Sequence, residues 1–196
     1  MTVRLTLVCA AAPVGREVRF GDVSLDERAL RQARTAAGLV KTTGTPYSAP
    51  SQRCRQTAHA LGWDEVVAEP ALRDLDMGRW QGLALDEVVA EDPAGLGAWM
   101  TDPEAAPHGG DSVGDLRRRV NAWMGGLAED AGRVVAVVEQ AVARAAVLNA
   151  LAAPSRSFWR VDVPPLAAVR FTGRAGRWNL RMGDLAACDD RAPSGP

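Results

Sequence analysis

The chain has 196 residues, with 23 Lys or Arg against 24 Asp or Glu, giving a formal charge of −1. This balance excludes binding to nucleic acid or an acidic membrane through overall charge, because such binding needs many cationic contacts with phosphate; a charged partner has to be met locally. At 47% hydrophobic and 24% charged residues the composition is that of an ordinary globule, with no apolar run near the ~20 residues of a membrane span and no signal-peptide layout in Met1-Thr2-Val3-Arg4. A cytoplasmic protein is therefore expected. Cys9, Cys54 and Cys188 form no metal spacing and read as thiols, and no cofactor is implied.

Along the chain, Thr2 to Val8 alternates apolar Val3, Leu5 and Leu7 with polar neighbours before the small run Cys9-Ala10-Ala11-Ala12-Pro13, which predicts a strand feeding a loop. Ser24 followed by Glu27 reads as a capping box for a helix that carries Leu25, Leu30, Ala33 and Ala37 to Gly38. Ser48-Ala49-Pro50 opens a second helix, with Gly62 as its stop. Glu65 to Ala68 is a short strand, and Leu83 to Glu91 and Pro93 to Met100 are two short helices. From Asp111 or Ser112, a long helix places Val113, Leu116, Val120, Trp123, Met124 and Leu127 on one face.

Val134 to Val138 is a continuous β-branched run, the pattern of a parallel strand covered on both faces, and is expected at the sheet centre. A helix over Ala141 to Ala152 follows. Leu166 to Phe171 and Arg177 to Met182 then alternate around Gly173 and Gly176 as a hairpin. This order predicts a three-layer α/β/α sandwich, with a mostly parallel central sheet and an antiparallel edge. One domain over residues 1–186 is expected, with 187–196 a flexible tail.

In such sheets, ligands bind beyond the carboxyl ends of the strands. This draws attention to Cys9-Ala10-Ala11-Ala12, to Glu139-Gln140, to the helix start Ser48 to Arg53, and to Leu72-Arg73-Asp74-Leu75-Asp76-Met77-Gly78-Arg79-Trp80-Gln81-Gly82. These segments resemble the histidine phosphatase superfamily, which includes phosphoglycerate mutases and α-ribazole phosphatases. Tyr47 to Ala58 is similar to its "SSPLxRARQTA" motif, Leu72 to Gly82 to "LRELDFGxWEG", and His108-Gly109-Gly110-Asp111-Ser112 to "GGES". Leu7 to Ala11 falls on "LVRHG", and Val134 to Arg144 on "VLVVSHGGVIR". The resemblance implies a phosphoglycerate-mutase-like fold.

The family's reaction uses a nucleophilic His, two Arg and a second His on the phosphoryl oxygens, and an acid for the leaving group. The resemblance puts Cys9 at the first Arg, Ala10 at the nucleophile, Ala11 at the motif's Gly and Glu139 at the second His; Arg53 and Asp74 remain. A methyl group has no lone pair for attack, so phosphohistidine chemistry cannot run through position 10. Each carboxylate facing Arg53 opposes a phosphate charge by about 4 kcal/mol at 4 Å and an effective dielectric of 20. Two readings stay open: Arg53 and Glu139 close the vacated pocket as an ion pair, or Asp74 and Glu139 form an acid/base pair for a neutral or cationic substrate.

The remaining candidates are individually weaker signals. His59 reads as a surface residue, and His108 as a solvated loop residue or a ligand contact at the pocket mouth. Cys9 reads as a packed thiol or an alternative nucleophile. Trp80 has the best case among the tryptophans for bordering the site. Gln140 and Ala10 join Arg53, Cys9, Trp80 and His108 as expected ligand-binding positions. Three classes follow: a non-catalytic binding protein, an enzyme repurposed for a non-phosphatase reaction on a small metabolite, or an active small-molecule phosphatase relative whose nucleophile was replaced by engineering. The expected partner is a small molecule, not nucleic acid or membrane, and homo-oligomerisation is left open.

Overall fold

The structure, a computed structural model, describes residues 2–13 and 19–183; the expected tail at 187–196 lies outside them, as does Cys188. Its strands are β1 (Val3–Cys9), β2 (Tyr47–Ser48), β3 (Val67–Ala68), β4 (Arg133–Val138), β5 (Ala168–Arg174) and β6 (Arg177–Arg181). They form one sheet in the order β3-β2-β4-β1-β5-β6. β3, β2, β4 and β1 are mutually parallel, and β5 and β6 add an antiparallel edge, as the sequence pattern predicts. Val134 to Val138 are all buried in the third strand of the six. Their β-branched side chains suit a strand packed on both faces.

The helices are α1 (Glu27–Thr35), α2 (Gln52–Ala60), α3 (Leu85–Glu91), α4 (Pro93–Thr101), α5 (Val113–Gly125) and α6 (Gln140–Ala150). α5 starts where expected, with Ser112 as its cap in a capping box with Asp115 that the sequence reading did not name, and buries Val113, Leu116, Val120 and Met124. α1 differs from expectation at both ends. Asp26, not Ser24, caps it by accepting from Ala29 N at 2.8 Å, while Ser24 Oγ accepts from Gln56 Nε2 of α2 at 2.9 Å. It also ends at Thr35, leaving Ala37 exposed, because only Ala29 and Ala33 of its face reach the small core shared with Leu25 and Ala60. Ser48 belongs to β2, and the cap of α2 is Ser51, whose Oγ accepts from Cys54 N at 3.2 Å.

Register places the chemistry. Cys9 pairs with Val138 and Ser48 with Val137, so β1, β2 and β4 end side by side. Ala10 N donates to Val138 O at 2.8 Å and Ala49 N to Val137 O at 2.8 Å, extending the ladder one residue into the loops. Ala10, Glu139 and the start of α2 therefore meet at one rim of the sheet. Among the described residues, no helix is long and apolar enough to cross a membrane.

Candidate functional site

Glu139 directly follows β4 and occupies the cap position of α6 with extended backbone, but its side chain does not cap that helix. It turns towards α2. Oε2 accepts from Arg53 Nη2 at 2.8 Å, and Oε1 accepts from Arg53 Nε at 3.2 Å, from Ser51 Oγ at 2.7 Å and from Cys54 Sγ at 3.5 Å. The pair is bidentate and largely buried, with side-chain exposures of 18% for Arg53 and 5% for Glu139. Charge-assisted forks of this kind are the stronger class of hydrogen bond, and the first turns of two helices nearby favour a negative group. A second carboxylate covers the start of α2 itself, since Asp22 accepts from Gln52 N at 2.6 Å and Arg53 N at 3.2 Å.

Asp74 is held from behind. Arg119 of α5 donates to the carbonyls of Ala71 at 3.1 Å, Arg73 at 2.6 Å and Asp74 at 3.3 Å, and to Asp111 Oδ2 at 2.9 Å. The same segment lies against the 108–111 turn, where a Cβ on Gly78 would come within 2.2 Å of His108 O and one on Gly110 within 1.9 Å of Asp76 O. Gly78 and Gly110 are thus needed for backbone contact rather than for chemistry. Asp74 Oδ1 is buried without a hydrogen-bond partner. Burial and then the neighbouring Glu139 carboxylate push its carboxyl up to about 7, against the Leu75 N–H, Arg53 and Arg119.

These groups open onto a cleft of about 250 Å³. Of the positions singled out from the sequence, Ala10, Arg53, Asp74, Glu139 and Gln140 line it; Cys9, Trp80 and His108 do not. Cys9 is fully buried beneath the floor, and desolvation followed by the charge of Glu139 raises its thiol to about 12. A buried thiol held protonated in this way fits the packed-thiol reading of Cys9 rather than the nucleophile. His108 is only 2% exposed, so it is not a solvated loop residue. It packs on Trp80, with ring centroids 4.9 Å apart, and accepts from Gly110 N at 3.0 Å through Nδ1. Trp80, itself 2% exposed, is the support behind the aromatic wall; the rings that face the cleft are Trp99 and Trp159, 4.5 Å apart, and Phe20, with the buried Phe158 packed against Trp159. His59 is on the surface, 3.2 Å from Asp64.

Sequence reasoning missed two features of the cleft. The aromatic wall comes from α4 and from the 3-10 turn Ser155–Arg160, segments that carry no motif. Arg144 of α6, one turn beyond Gln140, also lines the cleft; its Nε is buried without a partner and its guanidinium lies 5.8 Å from the Phe158 ring centroid. Its helical spacing from Gln140 was the available signal. Among the described residues, no group of three or more His, Cys, Asp or Glu is arranged to hold a metal ion.

Comparison with known proteins agrees with the fold and with the retained motifs. The family model described as "Histidine phosphatase superfamily (branch 1)" matches residues 13–184, a span that begins after Ala10. "Bifunctional protein Rv2228c" of Mycobacterium tuberculosis is 36% identical over 107 residues, which is 51% of this chain and 29% of that protein. A "Glucosyl-3-phosphoglycerate phosphatase" of Mycolicibacterium vanbaalenii is 39% identical over 95 residues, 45% of this chain and 42% of that one. The chain thus matches less than half the length of either. Among solved structures, the native mycobacterial glucosyl-3-phosphoglycerate phosphatase superposes with a TM-score of 0.77 at 25% identity, covering 92% of this chain and 97% of the other.

Proposed function

The chain belongs to the histidine phosphatase superfamily (branch 1), and we propose that within it this protein is a member without phosphohistidine chemistry that binds a small molecule lacking a phosphoryl group. The observation that carries this reading is the Arg53–Glu139 fork: the guanidinium that the family uses on phosphoryl oxygens is already engaged, and its charge compensated, by a tethered carboxylate at 2.8 and 3.2 Å. Beside it, Ala10 offers a methyl group at the position the resemblance gives to the nucleophile. The phosphatase names of the relatives therefore carry the ancestry of this cleft, and the reading does not extend them to its reaction.

What remains for a ligand is an aromatic wall, Arg144 with its Nε buried and without a hydrogen-bond partner, and an Asp74 carboxyl raised to about 7, so that a substantial fraction can donate a hydrogen bond near neutral pH. Mostly apolar walls with a few oriented polar groups are the usual make-up of a small-molecule site. A second reading, a repurposed enzyme, is favoured by the raised carboxyl of Asp74, which suits a general acid. In that reading Asp74 acts without Glu139, whose two oxygens are committed to Ser51, Arg53 and Cys54.

The test is to incubate the protein with p-nitrophenyl phosphate and phosphoglycerates and to look for an acid-labile phosphoenzyme. No turnover and no phosphoenzyme are expected. Turnover above background overturns the reading, and turnover that survives His59→Ala and His108→Ala would assign it to another nucleophile. Metabolite capture read by mass spectrometry then separates the two readings: an unchanged captured molecule supports binding alone, and its conversion on prolonged incubation supports the repurposed enzyme.

A further inference from the structure

At the end of the sheet opposite the cleft, cations gather without acids. Arg4 of β1 stands opposite Arg133 of β4, and Arg170 of β5 stands opposite Arg181 of β6, with Thr6 of β1 opposite Arg170. In-register neighbours project from the same face of a sheet, so four guanidinium groups share one face across four adjacent strands. Lys41, the chain's single lysine, lines the same hollow of about 190 Å³. All five side chains are on exposed residues, and the hollow's lining contains no Asp or Glu. Among the described residues, none of the five forms an ion pair.

Like charges placed directly opposite on neighbouring strands oppose folding. A chain with 24 acids and a net charge of −1 has counter-charges in abundance, and uses them to pair Arg53, Arg73, Arg79 and Arg119 elsewhere. Planar guanidinium groups match the oxygens of phosphoryl groups better than ammonium groups do, and the half-buried hydroxyls of Thr6 and Thr172 add donors to the same hollow. Its one aromatic residue, Phe171, is 1% exposed and offers no stacking face. The recognisable chemistry is therefore a chain of phosphates rather than a base. A concave hollow of this size suits a small molecule better than a flat bilayer, and five cations are too few for a nucleic-acid track.

We propose that this hollow binds a small soluble polyphosphate, a molecule with two or three linked phosphoryl groups. The site lies at the other end of β1 and β4 from the cleft, and it stands or falls independently of the function proposed there.

The experiment is calorimetric titration of the full chain with inorganic tripolyphosphate, pyrophosphate and orthophosphate, with backbone amide shifts followed by NMR. Tripolyphosphate and pyrophosphate are expected to bind one site at least about tenfold more tightly than orthophosphate, and more weakly as salt is raised. The shifts should centre on Thr6, Arg170 and Thr172. Arg170→Gln and Arg4→Gln should each weaken binding about tenfold; both residues are exposed, so folding is not at stake. No heat with millimolar tripolyphosphate, binding indifferent to both variants, or shifts centred on Ala10 and Gln140 would each overturn the proposal. Tighter binding of a single-stranded oligonucleotide or of anionic vesicles through the same arginines would also overturn it, in favour of a macromolecular partner.

Discussion

β1 and β4 run side by side through the sheet, and their two ends follow opposite electrostatic rules. At the carboxyl ends, the charges close to α2 interlock: Arg53 with Glu139, and the first amides of α2 with Asp22. At the amino ends, Arg4 and Arg133 face each other as like charges, and the hollow beside them has no acid. Both ends are polar, but in the Arg53–Glu139 fork the charges are largely buried and paired, while the cations at the amino ends are exposed and unpaired. Water makes the difference tolerable, because exposed charges at high dielectric repel weakly, whereas a buried charge without its partner is costly. Removing a cation should therefore have opposite signs at the two ends.

The largest effect is expected at the buried pair. Arg53→Ala leaves Glu139, at 5% side-chain exposure, with only Ser51 and Cys54 as donors. Breaking a buried pair from one side costs about 3 to 5 kcal/mol, read as a fall in unfolding free energy in urea. A loss under ~1 kcal/mol would mean that water reaches the pair, as for surface ion pairs, and the contrast between the ends would disappear. Next in size is Glu139→Gln, which keeps shape and part of the hydrogen bonding. A loss of ~1 to 3 kcal/mol is expected, together with tighter sulfate or phosphate binding in the cleft, because the Arg53 guanidinium is then uncompensated. Unchanged anion affinity would count against the pairing as the reason the cleft rejects phosphate.

Asp74 sharpens the comparison through pH. Its folded carboxyl is raised to about 7, against an unfolded value of about 4. The folded state therefore holds this proton more tightly, so its contribution to stability is fully present below about pH 4 and is lost as pH rises to about 7. In Asp74→Asn that loss is absent, and the variant should gain on the wild type across this window, judged by melting temperature at pH 5 and pH 8. Parallel pH profiles for the two proteins would show that the Asp74 carboxyl is not desolvated.

The predicted elements and the pairing of Arg53 with Glu139 were legible because each rests on local pattern or on charge. The β-branched run Val134 to Val138 announces a covered strand, and a cation facing a carboxylate at neighbouring strand ends has few alternatives. Helix starts were harder. Ser24 and Ser48 are good caps by type, but Asp26 and Ser51 take the role because Ser24 is engaged by Gln56 and Ser48 by the sheet. The aromatic wall was illegible for a different reason: Trp80 and His108 sit in motifs, whereas Trp99 and Trp159 come from segments far apart in sequence that meet only in the folded chain. Depth below a surface is a tertiary property, and it decides that Trp80 supports while Trp99 lines. The basic hollow is similarly invisible to overall charge, since its five cations come from five separate segments, four of them assembled by strand register and Lys41 brought in by the loop before β2.

The smallest expected effect is the one that most directly distinguishes the two ends. Arg133 is exposed at the start of β4 and faces Arg4. Arg133→Gln removes one of two like charges while keeping a side chain of similar reach, so it should raise stability by ~0.2 to 1 kcal/mol at low ionic strength, the range of cross-strand pair terms. The gain should shrink as salt is added, because the Debye length falls from about 30 Å at 0.01 M to about 3 Å at 1 M. The loss in Arg53→Ala should depend less on the same salt, since a largely buried, directly paired charge is screened less than exposed ones. The measurement is urea unfolding of both variants at two salt concentrations. If Arg133→Gln lowers stability at low salt, the guanidinium has a favourable environment at the amino ends, and the claim that β1 and β4 carry unsatisfied charge there fails.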